Sequence, residues 1–288
     1  MSAKAKAAAP GSRARPPVVV AGFGRLGGAL ALGLRERGWP VSVSASSPSS
    51  VRAARRLKLP LADARALADA RVLLVATQDD AVGARTAQLL PALSMRCALV
   101  HCAGALSLEA LGTSPEVLAH PRGSFHPLVA VSSRETSLRG RTVAISATSP
   151  ALRTRLGRMA RDLGLAPLEV PESRRAAYHA GAVLSAGGVV ALLATAVDAL
   201  AHAGLEADDA LEALLPLMRS ALDGVEARGL SGGLTGPVPR GDDAVVGAHL
   251  AALPPPVREI YRALGLRMLT LSGLEPKARR RMRRTLDG

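Results

Sequence analysis

The stretch Val18-Val19-Val20-Ala21-Gly22-Phe23-Gly24-Arg25-Leu26-Gly27 decides the fold. A short β-branched run ending in glycine reads as a buried strand entering a tight turn. From Arg25 to Arg37 the apolar residues recur at helical spacing, and Gly38 ends the run. Val41–Ser44 then reads as a second strand. Gly22-x-Gly24-x-x-Gly27 therefore sits inside a strand–turn–helix–strand unit. Its glycines permit the turn, a close approach of backbone to a pyrophosphate, and close helix–strand packing. The helix N-terminus adds free N–H groups for phosphate. A fortuitous glycine turn is the alternative.

Outward from that unit the alternation continues. Strands are expected at Val72–Ala76, Ala98–His101, Glu116–His120 and Thr142–Ser146, with helices at Val51–Leu57 and from Asp79 to about Leu90. This pattern predicts an α/β domain with a doubly wound, mostly parallel sheet. After Leu168-Glu169-Val170 it gives way to helices only: Arg174–Ala203, Glu206–Arg228, Asp242–Ala252 and Pro255–Ser272, with a Gly/Pro-rich loop at Gly229–Gly241. The expected organisation is a disordered tail (1–16), a dinucleotide-binding domain (17–171) and a helical substrate and dimerisation domain (172–288). The long Ala/Val/Leu helices could bury a homodimer face.

Composition narrows the function. No apolar run is expected to reach the roughly 18–20 uncharged residues of a membrane span, and Met1–Pro17 lacks the apolar stretch of a signal peptide. The reading is cytoplasmic, with no membrane partner. Cys97 and Cys102 read as two reduced thiols, with no metal site implied. The net charge of +14 invites nucleic acid. Yet only four lysines are present, Asn is absent, and aromatic residues make up 2%. The charge then reflects an Arg-rich composition expected of a GC-rich coding sequence. Base-stacking platforms are lacking, and nucleic acid is set aside as a partner. The Arg279–Arg284 run reads as a solvated tail.

The cofactor reading turns on the second strand. An NAD site places Asp or Glu at its end, and Val41–Ala62 contains no acidic residue. Ser44, Ser46, Ser47 and Arg52, with Arg55 and Arg56, suit a 2′-phosphate instead. NADP is expected rather than NAD, unless the arginines are only the wet face of a helix. With Gly22, Phe23, Gly24, Arg25, Leu26 and Gly27, the cofactor-binding set extends to the carboxyl ends of the next strands. Those are Thr77, Gln78 and Asp79 after the third, and His101, Ala103 and Gly104 after the fourth. Asp79 also reads as a helix N-cap.

Two histidines are candidate acids. His126, ahead of Pro127 and so held extended, could donate a proton to a reduced carbonyl or imine. His179, near the start of the first C-terminal helix, could bind substrate or serve as the acid. For each, a merely packed or hydrogen-bonded histidine is the alternative; His202 and His249 read as structural. In Gly232–Asp242, Thr235 and Arg240 are candidate substrate ligands, Arg240 as a carboxylate clamp. Asp242 could cap the next helix.

Together these segments resemble a family of Rossmann-like oxidoreductases with a helical C-terminal domain of unknown function, distantly similar to deazaflavin-dependent NADP reductases. The resemblance is carried by Gly22-x-Gly24-x-x-Gly27, Thr77-Gln78-Asp79-Asp80, His101-Cys102-Ala103-Gly104, Phe125-His126-Pro127-Leu128, Tyr178-His179-Ala180, and Leu234-Thr235-Gly236-Pro237 through Arg240-Gly241-Asp242. Some relatives are regarded as alternative ketopantoate reductases, which implies a small 2-oxo acid as substrate. Relatives often carry an Asn shortly after the His of the first C-terminal helix; here that stretch is Ser185-Ala186-Gly187-Gly188. No Lys lies between Lys58 and Lys277, so the lysine mechanism of hydroxyacid dehydrogenases is not on offer. The expected activity is NADP-dependent reduction of a small carbonyl or imine. The alternative is a non-catalytic NADP-binding sensor.

Overall fold

The computed structural model describes residues 15–288. The expected tail lies outside the described residues except for its last two, of which Arg15 is held by Asp162 at 3.0 Å. The chain divides into two compact units, one running through Val183 and the other from Leu184 to Gly288.

The first unit contains β1 (Val18–Ala21), α1 (Arg25–Glu36), β2 (Val41–Ser44), α2 (Pro48–Arg56), α3 (Ala64–Asp69), β3 (Val72–Val75), α4 (Val82–Leu89), β4 (Ala98–His101), α5 (Pro115–Leu118), β5 (Arg122–Leu128), β6 (Thr142–Ala147), α6 (Pro150–Asp162), β7 (Ala166–Glu169) and α7 (Arg175–Ser185), the last reaching across the boundary. The strands form one sheet in the order β2-β1-β3-β4-β5-β6-β7. All neighbours are parallel except β5 and β6. The doubly wound, mostly parallel sheet is as expected. Chain direction across it reverses between β1 and β3, the switch point at which such sheets bind ligands.

Strand composition follows from burial on both faces. Val18 and Val20 pack with Leu30, Leu34, Leu156 and Met159 on one side. Val19 and Ala21 pack with Val82, Leu99 and Leu111 on the other.

Two local expectations change. Residues 116–120 are not a strand. Pro115 at the first helical position and Ser114, whose hydroxyl accepts from Val117 N, start the short helix α5 instead. The strand is β5 itself, which carries Ser124–Leu128 inside it. It pairs with β4 only through Ser124, opposite His101. From there to Leu128 it is paired with β6 alone, so His126 and Pro127 project past the end of β4. Pro127 is tolerated because β4 offers no partner on that side.

The second unit contains α8 (Gly187–His202), α9 (Ala207–Gly233), α10 (Pro237–Arg240), α11 (Asp243–Ala252), α12 (Pro255–Leu271) and α13 (Pro276–Asp287). Its core joins Val238, Val246, Leu250, Leu269, Met282 and Leu286. The loop expected at Gly229–Gly241 is partly helical: α9 continues past a kink at Gly229 (φ 72°) and Pro237–Arg240 form α10. Asp242 does cap α11, accepting from Val245 N at 3.2 Å. Arg279–Arg284 is not a tail. It lies in α13, whose Met282 and Leu286 are fully buried.

The membrane-span expectation also needs correction. Residues 176–197 contain no Asp, Glu, Lys or Arg. The helical stretch Glu172–His202, with mean hydropathy 2.0, is long and apolar enough to cross a bilayer by length and composition alone. The backbone breaks at Ala186 (φ −115°, ψ −81°), between α7 and α8.

Candidate active site

The three glycines of the turn have different surroundings. Gly22 has φ +98°, and a Cβ there would lie 2.7 Å from the Ala76 carbonyl oxygen. A Cβ on Gly27 would overlap the Gly22 carbonyl oxygen. Gly24 faces open space, where a ligand's backbone approach would need it bare. Gly24 is also the N-cap of α1, with no side-chain cap and no acidic residue in the first turn. The leading N–H groups of α1 are thus free for an anion. Beside Gly22, the Thr77 hydroxyl is buried without a hydrogen-bond partner. An orphaned donor beside a bare glycine cradle fits a dinucleotide.

The other expected cofactor residues divide. Arg25 lines a cavity of about 300 Å³ with Arg56, Ser132, Ser133 and Arg134. Phe23 is buried at 2% exposure. Its carbonyl accepts from Arg134 Nε at 2.8 Å, and the same guanidinium lies 5.4 Å from the ring centroid. Phe23 and Leu26 both pack into the core by their side chains. Ser44 is engaged by Arg85, which donates to its hydroxyl at 2.7 Å and its carbonyl at 2.9 Å. Ser47 caps α2, accepting from Ser50 N. Ser46, Arg52 and Gln78 are exposed. Asp79 is not an N-cap: Gln78 holds that place, and Asp79 lies exposed in the first turn of a 3₁₀ helix.

The carboxyl end of β4 leads to a second cluster. His101 is fully buried, and neither ring nitrogen has a hydrogen-bond partner. Burial first, then the Arg175 charge, holds its pKa down to about 4. Ala103 gives its carbonyl to Arg175 at 2.9 Å. At Gly104, an added Cβ would overlap His179 Nδ1 and lie 2.9 Å from His126 Nε2. The two histidines named from the sequence therefore converge on one glycine. Their rings stand edge to face, 5.6 Å apart. His179 Nδ1 is buried without a partner. Burial, then His179 and Arg175, depress the His126 pKa to about 4, so its imidazole is neutral at physiological pH.

What sequence reasoning missed is the scaffold behind them. Arg175 is 1% exposed and donates to Ser124 Oγ at 2.6 Å. Glu172 faces it at 3.5 Å, receives Leu108 N at 3.0 Å, and accepts from Ser146 Oγ. This clamp fastens the start of α7 to the sheet edge. Tyr178 and His179 follow Arg175 by three and four residues, on the same helix face. Tyr178 in turn meets His126 Nδ1 at 2.8 Å. The only prior signal was an arginine pair at 174–175, indistinguishable from a solvated helix start.

Thr235 and Arg240 flank and end α10 in the second unit, and both are exposed. His249 Nδ1 pairs with the Tyr261 hydroxyl at 2.8 Å. Cys97 and Cys102 are free and buried, with burial pushing both thiols up to about 12.

Residues 141–268 match the model of a domain of unknown function, DUF2520. Among solved structures, a candidate NADP oxidoreductase of Bacteroides fragilis is 24% identical, with 88% of this chain and 97% of that one covered and a TM-score of 0.69. A Thermotoga maritima protein is 20% identical over 94% and 98%, with a TM-score of 0.66. An NADH-preferring ketol-acid reductoisomerase from an uncultured archaean is 16% identical over 87% and 81%, with a TM-score of 0.65. These likenesses are of fold. No curated protein sequence matches significantly.

Proposed function

We propose that the protein is an NADP-dependent oxidoreductase that reduces a small carbonyl compound of the 2-oxo acid type, ketopantoate being one such acid. The observation that carries the reading is the convergence of His126 Nε2 and His179 Nδ1 on Gly104, at the same sheet edge as the glycine turn. The cofactor, when bound, supplies hydride to the substrate carbon. Gly22, Gly24, Gly27 and the N-terminus of α1 would hold its pyrophosphate, and Thr77 offers a free hydroxyl. The acid-free second strand, with Ser46 and Arg52 exposed near its end and Arg85 on Ser44, supports a 2′-phosphate.

The chain's own contribution is a half-buried corner of hydrogen-bonding side chains. The neutral His126 imidazole beside a buried guanidinium suits an oxygen that gains negative charge. The Glu172 carboxylate is already engaged by Arg175, Ser146 and Leu108 N, leaving little to stabilise a protonated imine. This favours carbonyl over imine.

The test is NADPH oxidation against a panel of 2-oxo acids, ketopantoate included, and of cyclic imines, with NADH in parallel. Turnover of an oxo acid with NADPH is expected. His126→Ala should lower it about a hundredfold, as removing one hydrogen-bond donor to a developing oxyanion does, while leaving NADPH affinity nearly unchanged. Undiminished turnover in both His126→Ala and His179→Ala would overturn the assignment. Tight NADPH binding with no oxidation on any substrate would favour a sensor instead.

The reading includes a homodimer. The support is α8 and α9, which have one buried residue between them, Ala210. They expose Val190, Leu217, Leu222 and Leu230, each at 59–68%. Helices this apolar and this bare call for a cover, and a second copy presenting the same faces satisfies that demand symmetrically. The free buried cysteines are compatible with a reducing cytoplasm.

A further inference from the structure

His126 is a neutral ring, so only one of its nitrogens carries hydrogen, and which one decides whether it can donate toward Gly104. Its Nδ1 lies 2.8 Å from the Tyr178 hydroxyl, with the two rings edge to face at 5.8 Å. Its Nε2 faces Gly104. A phenol O–H, with a pKa of about 10, is a stronger donor than a neutral imidazole N–H, and an imidazole nitrogen is a better acceptor than a phenol oxygen. Burial raises the Tyr178 pKa further, so the hydroxyl keeps its proton. The favoured arrangement is O–H to Nδ1. The charged and titratable groups that act on His126 are His179, Arg175 and His101, and none of them is a carboxylate that would draw an N–H to Nδ1.

We propose that Tyr178 is a positioning residue for His126: its hydroxyl donates to Nδ1, confines the ring's own hydrogen to Nε2, and so aims a neutral N–H donor at the substrate oxygen beside Gly104. This rests on the carbonyl-reductase reading for its purpose, though not for its geometry. Arg175 makes the arrangement stiff, because it pins the helix turn that presents Tyr178.

The tautomer can be read without cofactor or substrate. Long-range proton–nitrogen NMR on the full chain with ¹⁵N-labelled histidine, at neutral pH, should show His126 as the Nε2–H form. Tyr178→Phe should convert it to a mixture or to the Nδ1–H form. A side chain that only packs would leave the spectrum of the phenylalanine variant unchanged, and that result overturns the proposal. So does an Nδ1–H tautomer in the unaltered protein, a measurement that stands even where the variant fails to fold. In kinetics, Tyr178→Phe should lower kcat about tenfold or more with KM nearly unchanged, the signature of an interaction strengthened in the transition state. The two readings fail separately. An Nε2–H tautomer with no carbonyl turned over sinks the reductase reading and leaves the positioning intact. Oxo-acid reduction with an Nδ1–H tautomer does the reverse.

Discussion

His101 and His126 tie the stability of the first unit to pH. Each has its pKa lowered from 6.5 to about 4 in the fold, burial being the largest cause. A histidine depressed on folding is neutral in the native state while the unfolded chain takes up a proton. Its contribution is therefore fully present above about pH 6.5 and is lost as pH falls toward 4, by about 3 kcal/mol for fully buried His101. Denaturant unfolding at pH 7 and pH 4.5 should show a drop of a few kcal/mol, and His126→Gln should flatten part of it. A second prediction concerns Gly104, where a methyl group would meet both His126 and His179. Gly104→Ala should cut kcat/KM at least tenfold with NADPH affinity retained, measured by turnover and by cofactor fluorescence titration. At this scale the sequence was partly legible. His126 could be picked out because Pro127 follows it. Tyr178 received no role because its partner lies 52 residues away, and buried Arg175 looked like surface charge because adjacent arginines normally are.

Among the elements, β1 and α1 were plain in the sequence, since a β-branched run, a glycine turn and an amphipathic repeat follow one another without interruption. The packing behind that legibility can be tested. A Cβ at Gly27 would overlap the Gly22 carbonyl oxygen, and backbone cannot move aside as a flexible side chain can. Gly27→Ala should destabilise the first unit by about 1–3 kcal/mol, as overpacked positions do, and weaken NADPH binding more than tenfold. Urea midpoints and a binding isotherm measure the two effects. Elsewhere local rules were outvoted by caps or by distant contacts. Glu116–His120 has strand-like residues, but Ser114 and Pro115 start a helix first. Arg279–Arg284 has the composition of a solvated end, but Met282 and Leu286, four residues apart on one face, anchor it in the core of the second unit. The short α3 at Ala64–Asp69 went unread because it buries no residue and leaves no apolar stripe.

For the whole molecule, the feature that needs a physical explanation is the exposure of α8 and α9. A monomer would present Val190, Leu217, Leu222 and Leu230 to water, more bare apolar side chain than a lone helix pair ordinarily carries. The expected species in solution has twice the 29.5 kDa chain mass, by light scattering on an eluting peak. Leu217→Glu combined with Val190→Glu should shift it to a single chain without removing NADPH binding. A single-chain mass for the unaltered protein, or association only with phospholipid vesicles, would overturn the dimer. The change from strands to helices was readable near Pro171, but the compact units do not divide at the expected 171/172: the first runs on through Val183 and takes most of α7 with it. The homodimer face was expected from the same Ala/Val/Leu helices, but whether they were bare or buried within the chain was not readable, because both kinds of apolar helix share one composition.

The overhang of β5 has one more consequence. Where His126 projects past β4, the strand has a neighbour on one side only, which makes a short stretch of unpaired backbone inside an open sheet whose outer edges are β2 and β7. Such an edge is a template for a foreign strand. Pro127 lacks the N–H that an incoming strand would need there. Pro127 is buried, so it would deny pairing to a foreign strand only once local opening exposes this stretch. Pro127→Val should keep most of its turnover when fresh, and betray itself instead as turbidity and thioflavin fluorescence on standing at high concentration.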